Sequence, residues 1–189
     1  MTTTTPWRGR KGQRGLTLVE LLIASSLSTL VLAGVLAMFL FLGRTGANVA
    51  NYADMEAQAR LALEEFGQDA RQAAGITWNS AHSVTLHVSG ADVFYTYNPV
   101  VRTFSRSVGA TTRVLVEGVT DEFAFTGYTI GGAKVAYDLS TASGRTSASG
   151  VTKQLQIYFK ASRTDNTVAR ATNTVLSARF ILRNKRVTA

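Results

Sequence analysis

The stretch that decides the fold reads Gln13-Arg14-Gly15-Leu16-Thr17-Leu18-Val19-Glu20-Leu21-Leu22-Ile23-Ala24 and continues without a charge to Phe41-Leu42. From Leu16 to Leu42 the single charged residue is Glu20, and 22 uncharged residues follow it. A helix of that length rises about 33 Å, enough to cross a hydrocarbon core of about 30 Å. Ser25, Ser26, Ser28, Thr29 and Gly34 are tolerable inside such a helix, because hydroxyls can bond back to the preceding turn. A cleaved secretory signal explains the run less well. Its apolar core is about 7–15 residues and ends in a small-residue cleavage site. The reading here is a retained transmembrane helix over residues 16–42.

On the N-terminal side, residues 1–15 hold Arg8, Arg10, Lys11 and Arg14 and no acid, a segment charge of +4. Basic residues stay cytoplasmic, so the N-terminus is expected inside and the rest of the chain exported. On the C-terminal side, Val49, Tyr52, Met55, Ala59, Leu63, Phe66, Ala70 and Ala73 recur at steps of three and four, one face of a helix over residues 47–74. Asp54, Glu64, Glu65 and Asp69 are expected largely on the opposite side. The long helix is therefore assigned to residues 16–75, with Gly75 as its stop.

Beyond Gly75 the period becomes two. Val84, Leu86 and Val88 alternate with polar residues, as do Leu155, Ile157 and Phe159. Further runs lie at Val93–Tyr97, Val101–Ser105, Arg113–Val116, Glu122–Phe125 and Leu176–Leu182, separated by turn residues at 90–92, 98–99, 131–132 and 164–166. Residues 140–152, mostly Ser, Thr, Ala and Gly, read as a loop. The apolar stripe of the helix and one face of a sheet each need covering, and packing them together satisfies both. The expected fold is α+β, a long N-terminal helix on an antiparallel β-sheet domain of residues 76–189.

Composition fits one domain plus accessory segments. The chain has 189 residues, 46% hydrophobic, with two prolines and 17% charged, which excludes a disordered polymer. It has no cysteine, which excludes disulfides, thiolate metal sites and a cysteine nucleophile. The net charge of +8 divides into +4 before the helix, −3 over residues 16–75 and +7 over residues 76–189.

The segment from Gln13 to Ala24 closely resembles the processing site of type IV prepilins and pseudopilins. The resemblance implies cleavage between Gly15 and Leu16 by a membrane-embedded prepilin peptidase, N-methylation of Leu16, and a role for Glu20, the fifth mature residue, in assembly. It also implies a cytoplasmic leader, an inner-membrane anchor and a periplasmic domain. Glu20 fits that role on physical grounds. A carboxylate near the end of a membrane span usually has a partner, and the terminal ammonium of a neighbouring Leu16 lies at similar depth. Pairing them in low dielectric sets register between neighbours.

Arg60 to Ala73, Val114 to Thr120 and Arg179 to Asn184 resemble J-type minor pseudopilins of type II secretion and W-type minor pilins. Phenylalanine is the family's usual first mature residue, and here it is Leu16. The helix-bending proline of major pilins is replaced near Ala37, and no cysteine pair is present. These departures lean towards a minor subunit, one that helps initiate or cap a filament. Retention of Glu20 argues against the large tip pseudopilin. Implied partners are other pilin-like subunits, the inner-membrane assembly platform, the prepilin peptidase and membrane lipid.

No catalytic set, cofactor or metal site is expected. His82 and His87 are five apart and would face opposite sides of a strand. The carboxylates of Asp121 and Glu122 would diverge, and no Gly-x-Ser-x-Gly motif supports a serine nucleophile. Gly131-Gly132 lacks the context of a phosphate loop. Tyr95, Tyr97 and Tyr128 beside Arg102 and Arg106 could stack bases. Their expected role, however, is to pack in or beside a sheet. The +7 charge of residues 76–189 leaves an alternative, a competence-type pilin whose basic domain contacts DNA.

Overall fold

The computed structural model describes residues 15–163 and 172–186. Residues 1–14, all but the last residue of the expected leader, and the expected turn at 164–166 lie outside them. The element order is α1 (Leu18–Gln72), β1 (Ala73–Ser80), β2 (Ser83–Val88), β3 (Ala91–Asn98), β4 (Thr103–Val108), β5 (Thr111–Glu117), β6 (Ala124–Tyr128), α2 (Ala142–Val151), β7 (Gln154–Arg163) and β8 (Thr172–Ile181). This is the α+β class expected from the switch in apolar period. The chain divides into two compact units, one ending at Gly43 and one beginning at Arg44.

In the first unit every side chain of α1 from Leu18 to Gly43 is exposed. An 18-residue window of the helix has a mean hydropathy of 2.2 with none of it buried. Three of its hydroxyls bond back to the preceding turn. Ser25 and Ser26 donate to the Leu22 carbonyl at 2.9 and 2.7 Å, and Thr29 donates to the Ser25 carbonyl at 2.8 Å. Each hydroxyl therefore carries no unsatisfied donor into an apolar solvent.

In the second unit the remainder of α1 covers two antiparallel sheets, a five-stranded meander in the order β1-β2-β3-β4-β5 and a three-stranded sheet β6-β7-β8. Met55, Ala59, Ala62, Phe66 and Ala70 are buried with Val84, Leu86, Tyr95, Phe104 and Val116 of the first sheet and Leu155, Ile157 and Phe159 of the second. Phe66 is the hub. Its ring lies 4.9 Å from Tyr95, 5.9 Å from Phe125 and 5.6 Å from Phe180. Gly67 lets the helix approach that closely, because a Cβ there would sit 2.5 Å from the Phe180 ring. Residues 118–120 join the sheets: the Thr120 amide donates to the Lys160 carbonyl and the Ser162 amide to the Gly118 carbonyl, both at 2.8 Å.

Four local expectations are corrected. The helix stops at Gln72, and Gly75 lies in β1, where the close approach of the His87 ring in β2 favours a residue without Cβ. Residues 142–151 form α2, where a loop was expected. Their propensity is low, so the helix depends on its ends and on packing. Thr141 caps the start, accepting from the Gly144 amide at 3.1 Å, and Ser149 accepts from the Trp78 amide of β1 at 2.9 Å. At the far end the buried Lys185 donates to the carbonyls of Ser149, Gly150 and Thr152 at 2.5, 2.8 and 2.7 Å, satisfying carbonyls that a helix end leaves free. Asp69 is buried and faces the core, where the outer face was expected. Val101 lies in the β3–β4 turn, not in a strand.

Candidate functional site

The sequence points to the start of α1, and the local geometry there follows from four residues. Gly15 and Leu16 precede the helix and are exposed, and nothing approaches Gly15 within 4 Å of where its Cβ would be. Thr17 is the last residue before the helix. Its Oγ1 accepts from the Glu20 amide at 3.3 Å, while Glu20 Oε2 accepts from the Thr17 amide and the Thr17 hydroxyl, both at 2.9 Å. This reciprocal pair is a capping box, which satisfies two amide donors that a helix start leaves free. A carboxylate at this end also complements the helix dipole. Among the described residues the hydrogen bonds to Glu20 fall on Oε2 alone. The carboxylate is therefore held by its own helix through Oε2.

Thr17 was missed by the sequence reading, although its signal was legible: Thr-x-x-Glu directly before an apolar run is the capping-box pattern. Glu20 combines a capping role with the only charge among the described residues of the first unit.

The other polar clusters belong to the β domain. Asp69 accepts from Tyr95 OH at 2.7 Å and from Arg106 Nε at 2.8 Å, joining α1 to β3 and β4. Burial, then the neighbouring Asp69 carboxylate, pushes the Tyr95 phenol well above its ordinary range, and the bond to Asp69 raises Arg106. Arg113 of β5 pairs with Glu65 of α1. These ion pairs fasten the helix to the sheet. Burial and the nearby Lys153 ammonium push Lys185 down to about 8.

The histidines are separated, as their spacing suggested. The His82 ring packs 5.5 Å from Tyr97, and His87 hydrogen-bonds Thr77 at 2.9 Å and Asp92 at 2.6 Å. Among the described residues no group of three or more His, Cys, Asp or Glu could hold a metal ion. The tyrosines pack as sheet residues and form no base-stacking surface: Tyr95 and Tyr97 are buried, and the Arg179 guanidinium covers the Tyr128 ring at 3.6 Å.

A long exposed apolar helix joined to an α+β domain fits a single-pass membrane anchor. Residues 10–36, which contain Gly15, Leu16, Thr17 and Glu20, match the family model of the prokaryotic N-terminal methylation motif. That match supports a type IV pilin-like protein and a substrate of prepilin-type processing. No curated protein and no solved structure matches the chain.

Proposed function

We propose that this protein is a minor pilin or pseudopilin, a structural subunit that helps initiate or cap a type IV pilus or type II secretion filament. The observation that carries the reading is the start of α1: a glycine, a capped glutamate five residues on, and an apolar helix exposed on all sides. In this reading the leader of residues 1–15 is removed between Gly15 and Leu16 by the prepilin peptidase, and Leu16 is N-methylated. Residues 16–42 hold the chain in the inner membrane, and residues 76–189 form a periplasmic domain. The expected partners are sibling pilin-like subunits and the assembly platform.

The mechanism is association. Thr17 fixes the Glu20 carboxylate against the helix start, so it does not sample solvent as a free side chain. The terminal ammonium that cleavage creates on a neighbouring subunit is a cation at similar depth. An ion pair in low dielectric is costly to misalign, so it selects one stagger between helices. Glu20 acts on register, while the apolar surface supplies adhesion.

The test separates processing from assembly. Co-expression with a prepilin peptidase is expected to shorten the chain by residues 1–15, and Gly15→Val is expected to keep the leader. Glu20→Leu is expected to be shortened normally and to lose co-purification with the filament. Normal assembly of Glu20→Leu contradicts the register role.

A further inference from the structure

Helix α2 is held in place by polar ties more than by a core. Of its ten residues only Ala148 is buried, and the run Ala142-Ser143-Gly144-Arg145-Thr146-Ser147-Ala148-Ser149-Gly150-Val151 is poor in strong helix formers. A helix this short is marginal without tertiary support. The support at its far end comes from residues 182–185. Leu182 is fully buried, and its amide donates to the Lys153 carbonyl at 3.0 Å. Lys153 Nζ donates to the Lys185 carbonyl, and to the Arg183 carbonyl at 3.3 Å. Lys185 Nζ in turn holds the carbonyls of Ser149, Gly150 and Thr152. Asn184 Nδ2 donates to the carbonyl of Gln72, the last residue of α1, at 3.0 Å. Residues 182–185 thus form a strap that ties the C-terminal ends of both helices to the start of β7.

The place of α2 shows what the strap controls. β1 is an edge strand of the five-stranded sheet, with β2 on one side. On its other side the Trp78 amide donates to Ser149 Oγ at 2.9 Å, and the Trp78 indole donates to Thr152 Oγ1 at 3.0 Å. Trp78 is buried, and its ring packs on Phe125 with centroids 6.5 Å apart. An uncovered sheet edge is a template for pairing with another chain, and covering it with a helix is one way to prevent that. We propose that α2 is a latched cover over the β1 edge, closed by the strap of residues 182–185 and able to open as one unit while both sheets stay folded. An element with few buried apolar contacts opens at lower free energy than the whole domain. The core does not depend on α2: the aromatic rings around Phe66 come from α1 and the strands. Lys185 is the pin of the latch, because one buried ammonium supplies the donors for three carbonyls at the end of α2. The device acts within the β domain and is independent of processing at Gly15.

Amide hydrogen exchange of the full-length protein in detergent, compared with its Lys185→Met variant, tests this. Loss of the charge-assisted bonds is expected to speed exchange about tenfold or more. The same factor is expected for the α2 amides from Thr146 to Thr152 and for the Trp78 amide of β1, because the cover moves as a unit. The amides of Leu86 in β2 and Ile157 in β7 are expected to keep their rates. Faster exchange confined to the last turn of α2 makes Lys185 a cap and nothing more, and overturns the proposal. So does an equal factor at Leu86 and Ile157, which is loss of the whole domain, and so do unchanged rates throughout. Where Lys185→Met does not fold, Lys153→Met releases the strap from its other side and carries the same test, with the same pattern expected and the same outcomes against it.

Discussion

From Leu18 to Gly43 every side chain of α1 is exposed, whereas between Met55 and Ala70 the same helix buries seven residues against two sheets. The contrast lies in how apolar residues are arranged, not in how many there are. The first half is apolar on all sides, so no single face can be buried by a folded domain and the whole surface asks for an apolar solvent. The second half concentrates its apolar side chains in one stripe centred on Phe66 and places charges where a sheet can answer them, as Asp69 meets Arg106 and Glu65 meets Arg113. One continuous helix thus carries two instructions, one read by a membrane and one by a β core.

Substitutions that respect or violate each instruction should separate the halves. The largest effect is expected for Phe66→Ala, which empties the meeting point of three aromatic rings and should cost about 4 kcal/mol of domain stability. Leu30→Ala, in the exposed half, should leave the same transition in place. Chemical denaturation of the full-length protein in detergent, followed by near-ultraviolet circular dichroism, compares the two. Leu30→Arg should show the converse. A charge at mid-span costs about 3 kcal/mol of insertion, so carbonate extraction should release more of the chain from membranes while domain melting stays unchanged.

Asp69→Ala removes the shared acceptor of Tyr95 and Arg106. A cost of about 2 kcal/mol is expected, because Arg106 keeps some access to water, and Tyr95→Phe should cost about 1 kcal/mol. A further effect is the dependence on pH. Lys185 is pushed down to about 8 in the folded chain and titrates above about 10 when unfolded. Between those values the unfolded chain binds a proton that the folded chain has lost, so stability should rise with pH. The raised Tyr95 phenol has the opposite sign: above about 10 the unfolded chain loses a proton that the folded chain keeps, and stability should fall. Denaturation midpoints at successive pH values should pass through a maximum near that point, and Lys185→Met should flatten the rise.

The contrast between the halves was legible because it rests on pattern. Charge-free length marked the first half, and the spacing from Met55 to Ala70 marked the second. Most strands were legible for the same reason, as Val84-Leu86-Val88 and Leu155-Ile157-Phe159 alternate cleanly. The features that were not legible depend on partners distant in sequence. β1 follows α1 without a loop, and its start, Ala73-Ala74-Gly75, has no strand pattern; pairing with β2 defines it. α2 is built from weak helix formers, and a lysine 33 residues beyond Thr152 completes its end. Asp69 reads as a surface charge until Tyr95 and Arg106 are seen to reach it across the sheet. Thr17 is the exception: its signal, Thr-x-x-Glu directly before an apolar run, is local and legible.

The most direct test of the account is the N-terminus and intact mass of the protein isolated from its native cells. The account predicts a chain that begins at Leu16 and carries a methyl group on its terminal amine. A chain that still begins within residues 1–15, in cells with an active prepilin peptidase, would contradict it and leave Glu20 as the cap of an ordinary membrane anchor.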